Sequence, residues 1–229
     1  MMLAVYGPTV TGKTNLAIKL AKKFDGQIIS CDSRQIYKGM DIGTGKVSPN
    51  SKIEKNDEFW MVDNIKIYGF DLINPGKTYS AAQFASYCKK KSKIIISEKN
   101  LPIITGGSGF YLKAAIAGIK SMGIKPNKTL RSELEKLTKY ELYQKLLLAN
   151  PQRARSMNDS DRQNPRRLIR AIEISLSNRK LTNNQLPIAN NLIIGLTAPN
   201  DFLFKKADAW LKERLQLGLI EEVKKLVRS

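Results

Sequence analysis

Gly7-Pro8-Thr9-Val10-Thr11-Gly12-Lys13-Thr14 matches G-x-x-x-x-G-K-[ST] at every fixed position. Leu3-Ala4-Val5-Tyr6 precedes it as a short apolar run. Behind it, Leu16, Ala17, Leu20, Ala21 and Phe24 recur at helical spacing over Thr14 to Phe24. Strand, glycine turn and helix in that order make a phosphate cradle. The glycines let successive backbone N–H groups turn inward, Lys13 adds a point charge, and the hydroxyl of Thr14 is placed to ligate Mg²⁺ at the positive end of the helix. Gly7 through Thr14 are the candidate phosphate-binding residues. The motif leaves the donor open, since a nucleoside triphosphate, a nucleotide substrate of a kinase and a diphosphate ester all satisfy it.

Outward from the cradle the same alternation repeats. Gln27–Cys31 reads as a second strand closed by Asp32-Ser33, and Tyr79–Ser97 as a helix whose start is signalled by Ser80. Leu101–Thr105 is another strand, followed by Gly106-Gly107-Ser108-Gly109 and a helix through Ala117. Gly69–Ile73 is a weaker strand signal, and residues 46–64 are polar and irregular, so a loop is expected there. Leu192–Leu196 returns as a strand, and Asp201–Val227 reads as one long helix with Asp201 at its N-cap. The pattern predicts an α/β fold, a P-loop NTPase-like parallel sheet flanked by helices. Between them residues 120–180 change texture: they are helical and carry 15 Lys and Arg against 6 Asp and Glu. The expected organisation is an α/β catalytic core over 1–119 and 190–229, with a basic helical insertion over 120–189.

The whole chain of 229 residues has a formal net charge of +19, which favours a polyanionic partner because neutralised phosphates release counterions. Histidine is absent and there are two cysteines, Cys31 and Cys88. His-based triads, His bases, zinc sites and a disulfide framework are therefore excluded, and any metal would be a hard ion on oxygen ligands. No apolar run approaches the ~20 residues that span a bilayer, so a soluble cytoplasmic protein without membrane contact is expected, acting as a monomer. Arg228-Ser229 ends the sequence at a helix without a capping glycine, which suggests truncation.

Ser30-Cys31-Asp32-Ser33-Arg34-Gln35-Ile36-Tyr37-Lys38-Gly39-Met40-Asp41-Ile42-Gly43-Thr44 follows the second strand. Asp32 stands at that strand's carboxyl end, where doubly wound sheets place their sites. With no histidine it is the natural general base, although an Asp there also caps turns. The run D-S-x-x-I-Y-x-G-M-D-I-G-T resembles the signature of the tRNA dimethylallyltransferases (tRNA isopentenyltransferases). The cradle in its G-P-T-x-x-G-K-T form is similar to theirs. So are Asn74-Pro75 with Tyr79-Ser80-Ala81 and Phe84, Gly106-Gly107-Ser108-Gly109-Phe110-Tyr111, Asn164-Pro165-Arg166-Arg167-Leu168-Ile169-Arg170-Ala171-Ile172-Glu173, and Gly218–Val223.

The resemblance implies that the cradle holds the diphosphate of dimethylallyl diphosphate with Mg²⁺ rather than a nucleotide. It implies Thr14 as the metal ligand, Lys13 as a stabiliser of the leaving diphosphate, and Asp32 as the base that takes a proton from the exocyclic amine of an adenine next to the anticodon in tRNA. Ser33, Arg34, Gln35 and Ser108 would hold that base, Ser108 standing where the family has Thr. Between Pro151 and Arg170 every basic residue is Arg, including Arg166, Arg167 and Arg170. Arginine's bidentate fork suits phosphate, and the family places its tRNA contacts in the same segment. Three alternatives stay open: a P-loop small-molecule kinase, an adenylate isopentenyltransferase, and an inactive tRNA-binding fragment lacking the family's carboxyl-terminal part.

Overall fold

A computed structural model describes residues 2–177 and 191–228. The chain divides into two compact units, Met1–Gly118 with Leu186–Ser229, and Ile119–Gln185. The 189/190 boundary expected from sequence lies outside the described residues.

The first unit is built from β1 (Met2–Tyr6), α1 (Lys13–Lys23), β2 (Gly26–Ser30), β3 (Ile53–Lys55), β4 (Trp60–Val62), β5 (Ile65–Tyr68), α2 (Ala81–Ser97), β6 (Leu101–Gly106) and α3 (Gly109–Ala117). In the second unit follow α4 (Lys128–Leu134), α5 (Lys139–Ala149), α6 (Pro151–Arg155), α7 (Asp159–Arg162) and α8 (Pro165–Ser175). The chain then returns to the first unit with β7 (Asn191–Gly195), α9 (Asn200–Gln216) and α10 (Leu219–Arg228).

The strands form one seven-stranded sheet in the order β3-β4-β5-β2-β6-β1-β7. Its larger part, β5-β2-β6-β1-β7, is parallel. Side chains alternate across a strand, so Leu3, Val5, Ile28 and Ile103 join Ala17, Ile18 and Ala21 of α1 in one cluster. Ala4, Ile29 and Ile104, one residue on, are also buried. Both faces are therefore covered, as a parallel sheet requires. On α2 and α3, Phe84 stacks on Tyr111 with ring centroids 4.8 Å apart. Ser80 caps α2 by accepting from the Gln83 N–H, and the Gln83 side chain returns to the Ser80 N–H.

Four sequence expectations need correction. Residues 46–64 are not all loop, because β3 and β4 form an antiparallel extension of the sheet. Asp63 and Asn64, at φ 50° and 68°, make the tight turn from β4 to β5, since two left-handed residues match the twist of a two-residue hairpin. The strand placed at Gly69–Ile73 is Ile65–Tyr68, and Ile73 makes only an isolated bridge to Tyr37. The single helix expected over Asp201–Val227 is two helices. Gly218 takes φ 95° between them, which breaks the helical path. The N-cap of α9 is Pro199, leaving Asp201 in the first turn, where its charge favours the positive helix end.

Among the described residues of the helical unit every helix opens on a capping side chain: Asn127, Thr138, Asn150, Asn158 and Asn164 each accept a first-turn N–H. Leu134, Leu142, Leu146, Leu168 and Ile172 make its core.

Candidate active site

The parallel arrangement brings the carboxyl ends of β1, β2 and β6 to one edge of the sheet, the edge where open α/β folds bind ligands. The cradle leaves β1 there. Val10 and Gly12 adopt left-handed φ values of 62° and 82°, and alternation of this kind turns backbone N–H groups toward a common point. Gly12 is the N-cap of α1 and places no side chain on the helix end, so the first-turn N–H groups of α1 stay available to an anion. The carbonyl of Pro8 accepts from the Thr11 hydroxyl at 2.8 Å and from the Lys13 ammonium. Burial holds the Lys13 ammonium below the usual lysine range, opposed by the Asp32 carboxylate. An opposing charge that acts on Lys13 means that cradle and carboxylate share one electrostatic environment.

The Asp32 loop is fixed from several sides. Cys31 donates its N–H to the Thr105 carbonyl at 2.7 Å, and Ser108 returns one to the Cys31 carbonyl at 3.2 Å. A side chain at position 106 would put Cβ 2.0 Å from the Cys31 carbonyl oxygen, so Gly106 permits this approach. Asp32 Oδ1 accepts from the Arg34 N–H at 2.9 Å. Ser108 Oγ accepts from the Ser33 N–H at 2.9 Å and lies 3.2 Å from Ser33 Oγ. Gln35 accepts from the Ser30 hydroxyl at 2.7 Å and donates to the Thr44 and Gly45 carbonyls at 3.1 and 3.2 Å. Gln35 thus joins the end of β2 to the loop at Thr44-Gly45.

These segments surround a cleft of about 500 Å³. From the cradle it is lined by Thr9, Val10, Gly12, Lys13 and Thr14; from the strand ends, by Asp32, Gln35, Thr105, Gly106 and Gly107. Val47, Ile67 and Phe70 supply apolar surface, and Lys206, Trp210, Glu213 and Arg214 of α9 supply a further wall. Of the residues singled out from sequence, the cradle, Asp32 and Gln35 come together here. Gly7, Pro8 and Thr11 shape the cradle without lining the cleft. Ser33 and Ser108 brace each other, and Arg34 is exposed.

The three arginines of α8 belong to the helical unit and differ in condition. Arg166 is exposed and has no side-chain partner among the described residues. Arg167 pairs with Asp161 at 2.6 Å. Arg170 is turned inward: it pairs with Glu173 at 3.1 Å and donates to the Ile124 carbonyl at 2.8 Å. Glu173 is buried and also takes both bonds of a bidentate Arg131 at 2.8 Å. Burial alone would raise the Glu173 carboxyl, but the Arg131, Asn127 N–H and Arg170 hydrogen bonds prevail and hold it below the usual range.

Two groups escaped the sequence reading. The Glu222 carboxylate accepts the N–H groups of Asp41, Ile42 and Gly43 at 2.8, 2.7 and 2.9 Å, tying α10 to the loop after β2. Lys46 is fully buried between Asp41 at 2.6 Å and Asp71 at 2.5 Å, with Asp71 also accepting from the Trp60 indole at 2.9 Å. The α9 wall was foreshadowed only by the spacing Lys206, Trp210, Arg214, which sets one helical face.

A family model described as IPP transferase matches residues 35–229. The chain belongs to the IPP transferase family. The tRNA dimethylallyltransferase of Endomicrobium trichonymphae is 35% identical over 230 residues, spanning 99% of this chain and 74% of its own length. The crystal structure of a tRNA isopentenylpyrophosphate transferase from Bacillus halodurans superposes with a TM-score of 0.64 at 30% identity, over 99% of this chain and 70% of its own. A eukaryotic dimethylallyltransferase acting on tRNA shares the fold at a TM-score of 0.80 and 23% identity, over 99% of this chain and 56% of its own. Membership of the IPP transferases makes the chain a prenyl-transferring enzyme and sets aside the kinase reading of the cradle.

Proposed function

We propose that this chain transfers the dimethylallyl group of dimethylallyl diphosphate to the exocyclic amine of an adenosine next to the anticodon in tRNA. The observation that carries the reading is the cleft itself, which a phosphate cradle and the Asp32 carboxylate line together. The cradle's N–H groups and Lys13 hold the diphosphate. Val47, Ile67, Phe70 and Trp210 offer the apolar surface that a five-carbon allylic chain needs. The adenine leaves its stack to reach the cleft. Its amine nitrogen bonds to the allylic carbon as the carbon–oxygen bond to diphosphate breaks, and Asp32 takes the proton that the amine loses. Negative charge grows on the departing oxygens, so donors aimed at them favour the transition state over the ground state.

Thr14 and Asp32 supply oxygen donors to the cleft, and among the described residues no cluster of three or more Cys, Asp or Glu offers a ready-made metal cage. That sparse oxygen set suits Mg²⁺, which binds through one or two protein groups plus phosphate oxygens and water. Held by Thr14, the ion would offset charge on the diphosphate. The exposed Arg166 and the Arg167 beside it are assigned to tRNA phosphates, and residues 120–189 to tRNA binding. Among the described residues no helix is long and apolar enough to cross a membrane, and a monomer working in the cytoplasm is part of the proposal.

Replacing Asp32 tests the assignment. Asp32→Ala should lower turnover by a factor of about 10² to 10⁴, the usual worth of a positioned base, with inorganic diphosphate affinity within about threefold of wild type. Near-normal turnover would remove Asp32 from the role of base.

A further inference from the structure

Arg214 is a buried cation with an incomplete set of partners. Its relative exposure is 6%, and among the described residues no carboxylate lies within ion-pair distance of it. Its Nε has no hydrogen-bond partner. Its one hydrogen bond among the described residues, from Nη2 to the Val47 carbonyl, is long at 3.4 Å. The guanidinium lies over the Trp210 ring at 5.3 Å, and a ring face satisfies none of the in-plane N–H donors. Burying a guanidinium in this state is costly, so a ligand is the natural source of compensation. The residue lines the same cleft as Gly12, Lys13 and Thr14. The Thr105 hydroxyl is in a similar condition, buried without a partner and lining that cleft.

We propose that Arg214 is a ligand of the donor's diphosphate, closing on phosphate oxygens from the α9 wall while the cradle holds them from α1, with the Thr105 hydroxyl as a neutral co-donor. This deepens the diphosphate reading of the cleft and rests on it. Arginine is suited to the task because its planar fork meets two phosphate oxygens at once. Trp210 orients that fork: it packs on Gly45, where a Cβ would come within 3.1 Å of the indole, and the guanidinium lies over its ring. α9 thus becomes part of donor binding, and the Thr44-Gly45 loop becomes its backing.

The test is calorimetric titration of inorganic diphosphate into the wild type, Lys13→Ala, Arg214→Met and Arg214→Lys, with thermal melts of each unliganded protein and filter binding of tRNA without diphosphate. The expected result is diphosphate affinity roughly 10- to 100-fold weaker in Arg214→Met, the worth of a charged hydrogen bond or two. Arg214→Lys should recover only part of this, having charge without the fork. The unliganded Tm of Arg214→Met should match or exceed wild type, because an uncompensated buried charge has gone, and tRNA affinity should hold. Wild-type diphosphate affinity in Arg214→Met, while Lys13→Ala is weakened, overturns the role of Arg214 and leaves the cradle standing. A lowered Tm with unchanged affinity makes Arg214 a structural residue. A loss confined to tRNA moves the guanidinium to the nucleic acid. Failure of both wild type and Lys13→Ala to bind diphosphate overturns the cradle reading as well. If Arg214→Met does not fold, Arg214→Lys carries the same comparison.

Discussion

At the residue scale, short polar side chains brace the backbone around Asp32. Ser108 is the clearest case, since its hydroxyl accepts the Ser33 N–H at 2.9 Å next to Asp32. Ser108→Ala leaves that donor unpaired, at a cost of about 1–3 kcal/mol, and lets the Asp32 loop drift. We expect kcat to fall by about tenfold or more, because small misplacements are amplified in rate. Ser108→Thr, which restores the hydroxyl, should keep wild-type kcat in the same steady-state assay; equal loss in both variants would show that the hydroxyl does not position Asp32. The place of Asp32 in the cleft was legible in the sequence because it follows a buried strand at the edge where such sheets put their sites. The bracing bonds of Ser108 and Gln35 were not, because a hydrogen bond spanning 75 positions leaves no local trace; their contact with the adenine stands as part of the proposal.

At the element scale, the strand–cradle–helix unit could be read because a continuous apolar run, a glycine turn and helical spacing agree locally. The β3–β4 hairpin could not, because β3 is three exposed residues and its stability comes from pairing rather than pattern. Gly218 was visible, yet a glycine within a helical pattern does not announce its φ. The element that follows it reaches back through Glu222. Glu222→Ala should release the loop at Asp41–Gly43, with amide exchange there at least about tenfold faster by hydrogen-exchange mass spectrometry. Unchanged protection would mean that Thr44 and Lys46 hold the loop alone. In the helical unit, Glu173 has a folded pKa below its unfolded value of about 4.3. Its stabilisation is therefore present above pH ~4.3 and is lost as pH falls through the lowered folded value. Glu173→Ala should lower stability at pH 7 by about 3 kcal/mol, since it strands Arg131 and Arg170. The gap from wild type should narrow below pH ~4 in thermal melts; a gap independent of pH would assign the effect to packing.

At the scale of the whole molecule, a net charge of +19 and a phosphate cleft serve one substrate pair, a small diphosphate and a large polyanion. The charge was legible; its division between structural and free arginines was not. Arg170 lies inward with Glu173, whereas Arg166 is exposed. Arg166→Ala should therefore weaken tRNA binding and reduce the slope of log affinity against log salt by about 1, whereas Arg170→Ala should act mainly on stability. A salt slope unmoved by Arg166→Ala would place the tRNA elsewhere. The transfer itself is read by mass analysis of nucleosides from unmodified tRNA incubated with this chain, Mg²⁺ and dimethylallyl diphosphate. The expected product is an adenosine carrying one dimethylallyl group on its exocyclic nitrogen, absent when Asp32→Ala replaces the wild type. Unmodified adenosine throughout, with folded protein and a tRNA that a related enzyme prenylates under the same conditions, would contradict it.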